Sequence, residues 1–247
     1  MRKFFLIIFG VLFFAIGCSS ESIAAEEVVY NSVDNEDITV DSLGLNGSYK
    51  ILSLGDSYTI GQSVCNTCRF PEQLKQKILS GFSDVKTIDL KIVARTGWTT
   101  TNLLNSLSSQ EIGMDYDFVT LLIGVNNQYQ GISLEVYKKE FPELVAKAIT
   151  YANGDINHVV VLSIPDYAYT PFGQGDSTIS EEILDYNQFA KNYCEANGIT
   201  FLNITDITQQ GLNNPALVAN DDLHPSALSY EKFVKRLLPL FIEKMKD

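Results

Sequence analysis

From Tyr49 onward, short apolar runs alternate with longer amphipathic stretches. The apolar runs are Lys50 to Leu54, Ile88 to Ala94, Phe118 to Ile123, His158 to Ile164 and Ile199 to Ile204. Their length and their Val, Ile and Leu content read as buried strands. Helical spacing of apolar positions recurs over Pro71 to Leu79, Thr100 to Leu107, Ser133 to Tyr151, Ile179 to Asn197 and Ser226 to Met245. Pro142 is expected to kink or split the third of these, because proline lacks a backbone donor and clashes with the preceding turn. Gly154 and Gly198 stand where helix C-terminal caps belong. Strands alternating with helices predict an α/β fold of three layers, with a central parallel sheet of about five strands covered on both faces.

The N-terminus follows a different pattern. Arg2 and Lys3 precede an almost unbroken apolar run from Phe4 to Ile16, which reads as a secretory signal and falls short of the roughly 20 residues of a membrane span. Phe14-Ala15-Ile16-Gly17-Cys18 resembles a bacterial lipobox, with Ala15 in place of the usual leucine. The expected plan is a lipoprotein signal peptide over 1–17, a polar tether over 18–48 rich in Ser, Asn, Asp and Glu, and one domain over 49–247. Acylation of Cys18 would hold the protein at the bacterial cell envelope, periplasmic or surface-facing, with membrane contact through the acyl chains only. The alternative is ordinary cleavage near Ala24-Ala25, which would release a secreted protein.

The chain of 247 residues is 45% hydrophobic, enough for a full core, and its formal charge is −12. Without Arg2 and Lys3 it has 16 basic against 30 acidic residues, about −14. That balance argues against nucleic acid as a partner, since phosphate binding needs a basic surface. Cys65-Asn66-Thr67-Cys68 is placed to close a small disulfide in an oxidising compartment, with free thiols the alternative. No second Cys or His pair stands at ligand spacing, so no metal is expected. Cys194 reads as a buried small hydrophobe on a helix.

In an open parallel sheet, ligands bind beyond the carboxyl ends of the strands. Ser57 follows the first run in Gly55-Asp56-Ser57, Gly97 the second, Asn126 and Asn127 the third, and Pro165-Asp166-Tyr167 the fourth. Of the two histidines, His158 precedes its strand and belongs at the opposite end of the sheet. His224 lies in Asp221-Asp222-Leu223-His224-Pro225, before the last helix, where a loop can fold over the rim. A serine hydroxyl is a weak nucleophile unless a base activates it and an acid orients that base. His224 and Asp221 supply both types of group.

These blocks resemble the SGNH, or GDSL, hydrolase family, whose four signatures match in order from about residue 50 onward. The resemblance implies a flavodoxin-like SGNH fold and a serine-dependent carboxylic-ester hydrolase that needs no cofactor. It implies a catalytic Ser57, Asp221 and His224, and an oxyanion hole formed by the N–H groups of Ser57 and Gly97 and the amide of Asn126. Tyr58 stands in place of the leucine of the nominal motif, and Asn127 in place of the aspartate that often follows the third block. Asp56 is expected to brace the turn, and Asp222 is set aside as the acid by the family spacing. Tyr58, Trp98, Tyr167, Tyr169 and Phe172 offer an apolar acyl pocket or a platform for a sugar ring, and Tyr167 to Thr178 reads as a long mobile loop bordering the cleft. The substrate is then a small-molecule, glycan or lipid ester, processed by an acyl esterase, a lysophospholipase-like enzyme or a carbohydrate deacetylase. The rival reading is a non-catalytic envelope lipoprotein that binds a glycan or lipid on the same fold.

Overall fold

The structure is a computed structural model, and it describes residues 44–246. The signal peptide, Cys18 and most of the tether lie outside the described residues. In chain order the elements are β1 (Gly47–Gly55), α1 (Ser57–Ile60), α2 (Phe70–Gly81), β2 (Val85–Ala94), α3 (Thr100–Ser109), β3 (Phe118–Leu122), α4 (Val125–Tyr129), α5 (Leu134–Tyr151), β4 (Val159–Leu162), α6 (Ser177–Ala196), β5 (Thr200–Leu202), α7 (Thr205–Thr208) and α8 (Ala227–Lys244). Leu45 is 3% exposed and β1 begins at Gly47. The compact domain therefore starts a few residues before the boundary at 49 that composition suggests.

The five strands are parallel in the order β2-β1-β3-β4-β5. Every residue of β3 is buried, as a central strand covered on both faces requires. Helix α2 packs against α8, while α3, α5 and α6 pack in series. The strand order reverses at β1, so the crevice between the carboxyl ends of β1 and β3 is the topological switch point where such folds bind ligands.

Of the two outcomes expected at Pro142 the split does not occur, and the loop after Tyr167 is more ordered than its composition suggests. Helix α5 runs unbroken through Pro142. Tyr137, Phe141, Leu144, Val145 and Ala148 form a buried stripe on both sides of it, and each large apolar side chain contributes about 1.5–3 kcal/mol on burial, against roughly 3 kcal/mol for an internal proline. The segment from Tyr167 to Thr178 is folded, and its N-terminal part is buried. It contains a 3₁₀ turn over Tyr167–Tyr169, and Thr170 Oγ1 donates to the Tyr167 carbonyl at 2.7 Å and accepts from the Gly173 N–H at 3.1 Å. His158 sits in a 3₁₀ turn just before β4, at the amino end of the sheet. Among the described residues no helix is long and apolar enough to cross a membrane.

Candidate active site

Strand β1 passes into α1 almost without a connection, and Gly55 makes this possible. A Cβ there would lie 2.2 Å from Thr59 Oγ1 and 2.4 Å from the Leu122 carbonyl oxygen. Asp56 caps α1, its Oδ1 accepting the Tyr58 N–H at 3.0 Å. Ser57 is the first residue of this helix, so its N–H has no intrahelical acceptor. Burial pushes the Asp56 carboxyl up to about 7, with partial relief from the Tyr58 N–H and the nearby Asn126 amide. The Asn126 amide nevertheless directs its hydrogen bond to the Trp98 carbonyl, and Asp56 Oδ2 has no partner.

Asp221 and His224 form a short pair, with His224 Nδ1 2.6 Å from Asp221 Oδ2. The loop closes on itself, because Asp221 Oδ1 also accepts the backbone N–H groups of Leu223 at 3.1 Å and His224 at 2.9 Å. Partial burial pushes the Asp221 carboxyl up, but donors from Ser63 and His224 outweigh it and hold the group down at about 2. With Nδ1 directed at a carboxylate, Nε2 is the nitrogen left to exchange a proton with another partner. Tyr58 meets the imidazole edge-on, with ring centroids 5.6 Å apart, which gives the side chain at the nominal leucine position an orienting contact. Asp222 makes a different contact, its carbonyl accepting the Phe172 N–H at 3.0 Å. Among the described residues Ser57 Oγ makes no hydrogen bond, to His224 or otherwise. Such bonds are often long in unliganded enzymes and tighten with substrate.

Gly97 and Asn126 come to the same rim from β2 and β3. Gly97 has φ +82°, and a Cβ there would meet nothing within 4 Å. Backbone handedness, more than crowding from the protein, selects glycine at this position. Its carbonyl accepts Gln130 Nε2 at 3.0 Å, and the next carbonyl, of Trp98, accepts Asn126 Nδ2 at 3.0 Å. Asn126 retains a second amide N–H.

Asn127 is fully buried and holds the start of α3, its Oδ1 accepting the Thr100 N–H at 2.9 Å and its Nδ2 donating to Thr100 Oγ1 at 2.7 Å. Thr100 Oγ1 in turn donates to Glu140 Oε2 at 2.5 Å. A hydroxyl has one proton, and Glu140 takes it, so the group facing Thr100 must be a donor. This explains asparagine at a position where aspartate is frequent. Asn127→Asp would set two carboxylates against one hydroxyl in a buried site and is expected to lower unfolding stability by roughly 2–4 kcal/mol near neutral pH. Urea unfolding checks this, and adding Glu140→Gln, which supplies a donor, should recover part of the loss.

The aromatic residues at the rim separate in the structure. Tyr58 is buried beside His224, whereas Tyr167 and Phe172 form a cluster with Tyr129, which the sequence pattern does not single out. Tyr129 is 57% and Phe172 48% exposed. Trp98 and Tyr169 are only partly buried and stand outside this cluster. Behind His224, a cavity lined by Tyr58, Asp166, Tyr167 and Thr170 encloses about 10 Å³, the space of roughly one water. Cys65 and Cys68 are joined by a disulfide with an S–S distance of 2.06 Å, and Cys194 is a buried free thiol. Among the described residues no group of three or more His, Cys, Asp or Glu side chains could hold a metal ion. The sequence pattern also misses Ser63, whose Oγ donates to Asp221 Oδ2 at 2.5 Å. Nothing in its neighbourhood along the chain distinguishes it from other loop serines.

A model of the GDSL-like Lipase/Acylhydrolase family matches residues 53–232, a span that includes Ser57, Gly97, Asn126, Asp221 and His224. No curated protein matches the chain. Among solved structures, Axe2, an acetylxylan esterase from Geobacillus stearothermophilus, is similar with a TM-score of 0.63 at 18% identity, over 79% of this chain and 95% of that one. LAE5, an alpha/beta hydrolase enzyme from the metagenome of Lake Arreo, Spain, has a TM-score of 0.61 at 19% identity, over 80% and 96% of the two chains. The lipase/acylhydrolase from Enterococcus faecalis has a TM-score of 0.60 at 18% identity, over 80% and 95%. At these identities the likeness is one of fold.

Proposed function

The chain belongs to the GDSL-like lipase/acylhydrolase family and is an ester hydrolase, and from that premise we propose that it removes short acyl groups, acetyl foremost, from a carbohydrate through an acyl-enzyme on Ser57. Ser57 Oγ attacks the ester carbonyl while His224 Nε2 takes its proton, and Asp221 holds the imidazole and stabilises its cation. The oxyanion is met by the N–H groups of Ser57 and Gly97 and by the second N–H of the Asn126 amide. His224 returns the proton to the leaving alcohol, and water releases the acyl group by the same steps. Location in this reading is the bacterial cell envelope, with acyl chains on Cys18 as the anchor.

The observation that carries the carbohydrate reading is the aromatic cluster on the rim, Tyr129 and Phe172 with Tyr167. Tyr129 and Phe172, exposed on the rim, present ring faces on which the apolar side of a sugar can lie. A series of p-nitrophenyl esters tests the reading. The expected result is the highest kcat/KM for acetate and a steep fall beyond about four acyl carbons. An optimum at medium or long chains would replace it with a lysophospholipase-like activity.

A further inference from the structure

Three blocks of the site come from distant parts of the chain, and the short loop after α1 touches all of them. Gly61 and Gln62 both donate their backbone N–H to the Ser57 carbonyl, at 3.1 and 3.0 Å. Gln62 Oε1 accepts Thr96 Oγ1 at 2.6 Å, next to Gly97. Ser63 Oγ donates to Asp221 Oδ2 at 2.5 Å. Further along, the Cys65–Cys68 disulfide closes the loop, and Gln73 Nε2 ties the Cys68 carbonyl at 2.5 Å to the Ala227 carbonyl at 3.0 Å, at the start of the helix that follows His224. Ser63 itself adopts φ 65°, a conformation uncommon outside glycine and asparagine. What serine adds over glycine at this position is its hydroxyl contact with Asp221.

We infer that Ser63 is a positioning residue for the acid–base pair: its hydroxyl, donated to the same Asp221 oxygen that meets His224 Nδ1, fixes the rotation of the carboxylate and joins the nucleophile loop to the histidine loop. The inference rests on the reading in which Ser57, Asp221 and His224 act together. Each Asp221 oxygen then has two donors, Ser63 Oγ and the imidazole on Oδ2 and two backbone N–H groups on Oδ1. Without Ser63, Oδ2 is held by the imidazole alone. The carboxylate then turns more freely and shares less of its charge, so it stabilises the imidazolium more and aims Nε2 less accurately. The other titratable groups facing the pair are Tyr58, Asp166, Tyr167 and Tyr230, together with the adjacent Asp222, and substitution of Ser63 leaves all of them in place.

Ser63→Ala and Ser63→Gly test this together, with ester-hydrolysis kinetics measured across pH. Both remove the hydroxyl, while glycine relaxes the positive φ and guards against a variant that fails for backbone reasons. Both are expected to lose kcat by roughly tenfold, the scale of one hydrogen bond to a charged group, with KM within about twofold. In both, the acidic limb of the kcat/KM profile should move to higher pH. Wild-type kcat and an unmoved limb in both variants would overturn the inference. So would wild-type behaviour of Ser63→Gly alone, since the backbone and not the hydroxyl would then matter. Activity surviving in Ser57→Ala would overturn the underlying reading instead, so the two failures are distinguishable.

Discussion

Ser57→Ala is expected to lower kcat by a factor on the order of 10⁴ or more, the loss typical when one member of a catalytic unit is removed. The substitution is clean because Ser57 is 4% exposed and its hydroxyl makes no hydrogen bond, so removing Oγ leaves no buried partner unsatisfied. The N–H of residue 57 remains, and with it one of the donors proposed for the oxyanion. Binding should therefore persist with KM little changed, and thermal stability should match wild type. Steady-state kinetics measure the loss, and a fluorophosphonate probe provides a second readout, since only an activated serine reacts readily with it. Turnover close to wild type in the purified variant would exclude Ser57 as nucleophile. Labelling of the wild type would also dismiss the non-catalytic reading of the fold.

Asn126→Ala is the second large effect, with kcat lower by about 10² to 10³, the usual cost of one oxyanion donor. In the proposed mechanism its amide meets charge that exists only in the transition state, so kcat and kcat/KM should fall together. The same side chain also donates to the Trp98 carbonyl at 3.0 Å, so a looser Gly97-Trp98 loop is the competing explanation for a loss. KM and thermal stability of the alanine variant separate the two, because a looser loop should raise KM or lower the melting temperature, whereas loss of a transition-state donor should leave both near wild type. A lower kcat at unchanged KM and unchanged melting temperature supports the electrostatic role. A loss of less than about threefold in the alanine variant would remove Asn126 from the oxyanion hole.

Much of the frame was legible in the chain because it depends on local pattern. The five apolar runs coincide with five parallel strands, the first two extended at their starts and the other three trimmed. The rule that ligands gather at strand carboxyl ends was enough to bring Ser57, Gly97 and Asn126 to one rim and to leave His158 on the other. The pattern failed where the deciding energy was tertiary. Pro142 breaks a helix in isolation, yet here the buried stripe around it outweighs the lost bond. The loop after Tyr167 carries glycine and proline signals, yet Thr170 and the Phe172–Asp222 contact fold it against the site.

The α/β class, the Gly55-Asp56-Ser57 turn, the pairing of Asp221 with His224 and the acidic balance could all be read from the chain, because each follows from residue type, spacing or composition. Their surroundings came from the folded chain. Thr100 and Glu140 make residue 127 an asparagine, Tyr58 lies against the imidazole, the space beside His224 is about the size of one water, and Ser63 reaches Asp221 across 158 positions of sequence. A hydrogen bond or a cavity depends on atoms within a few ångströms of one another, and distance along the chain carries no information about that until the chain has folded.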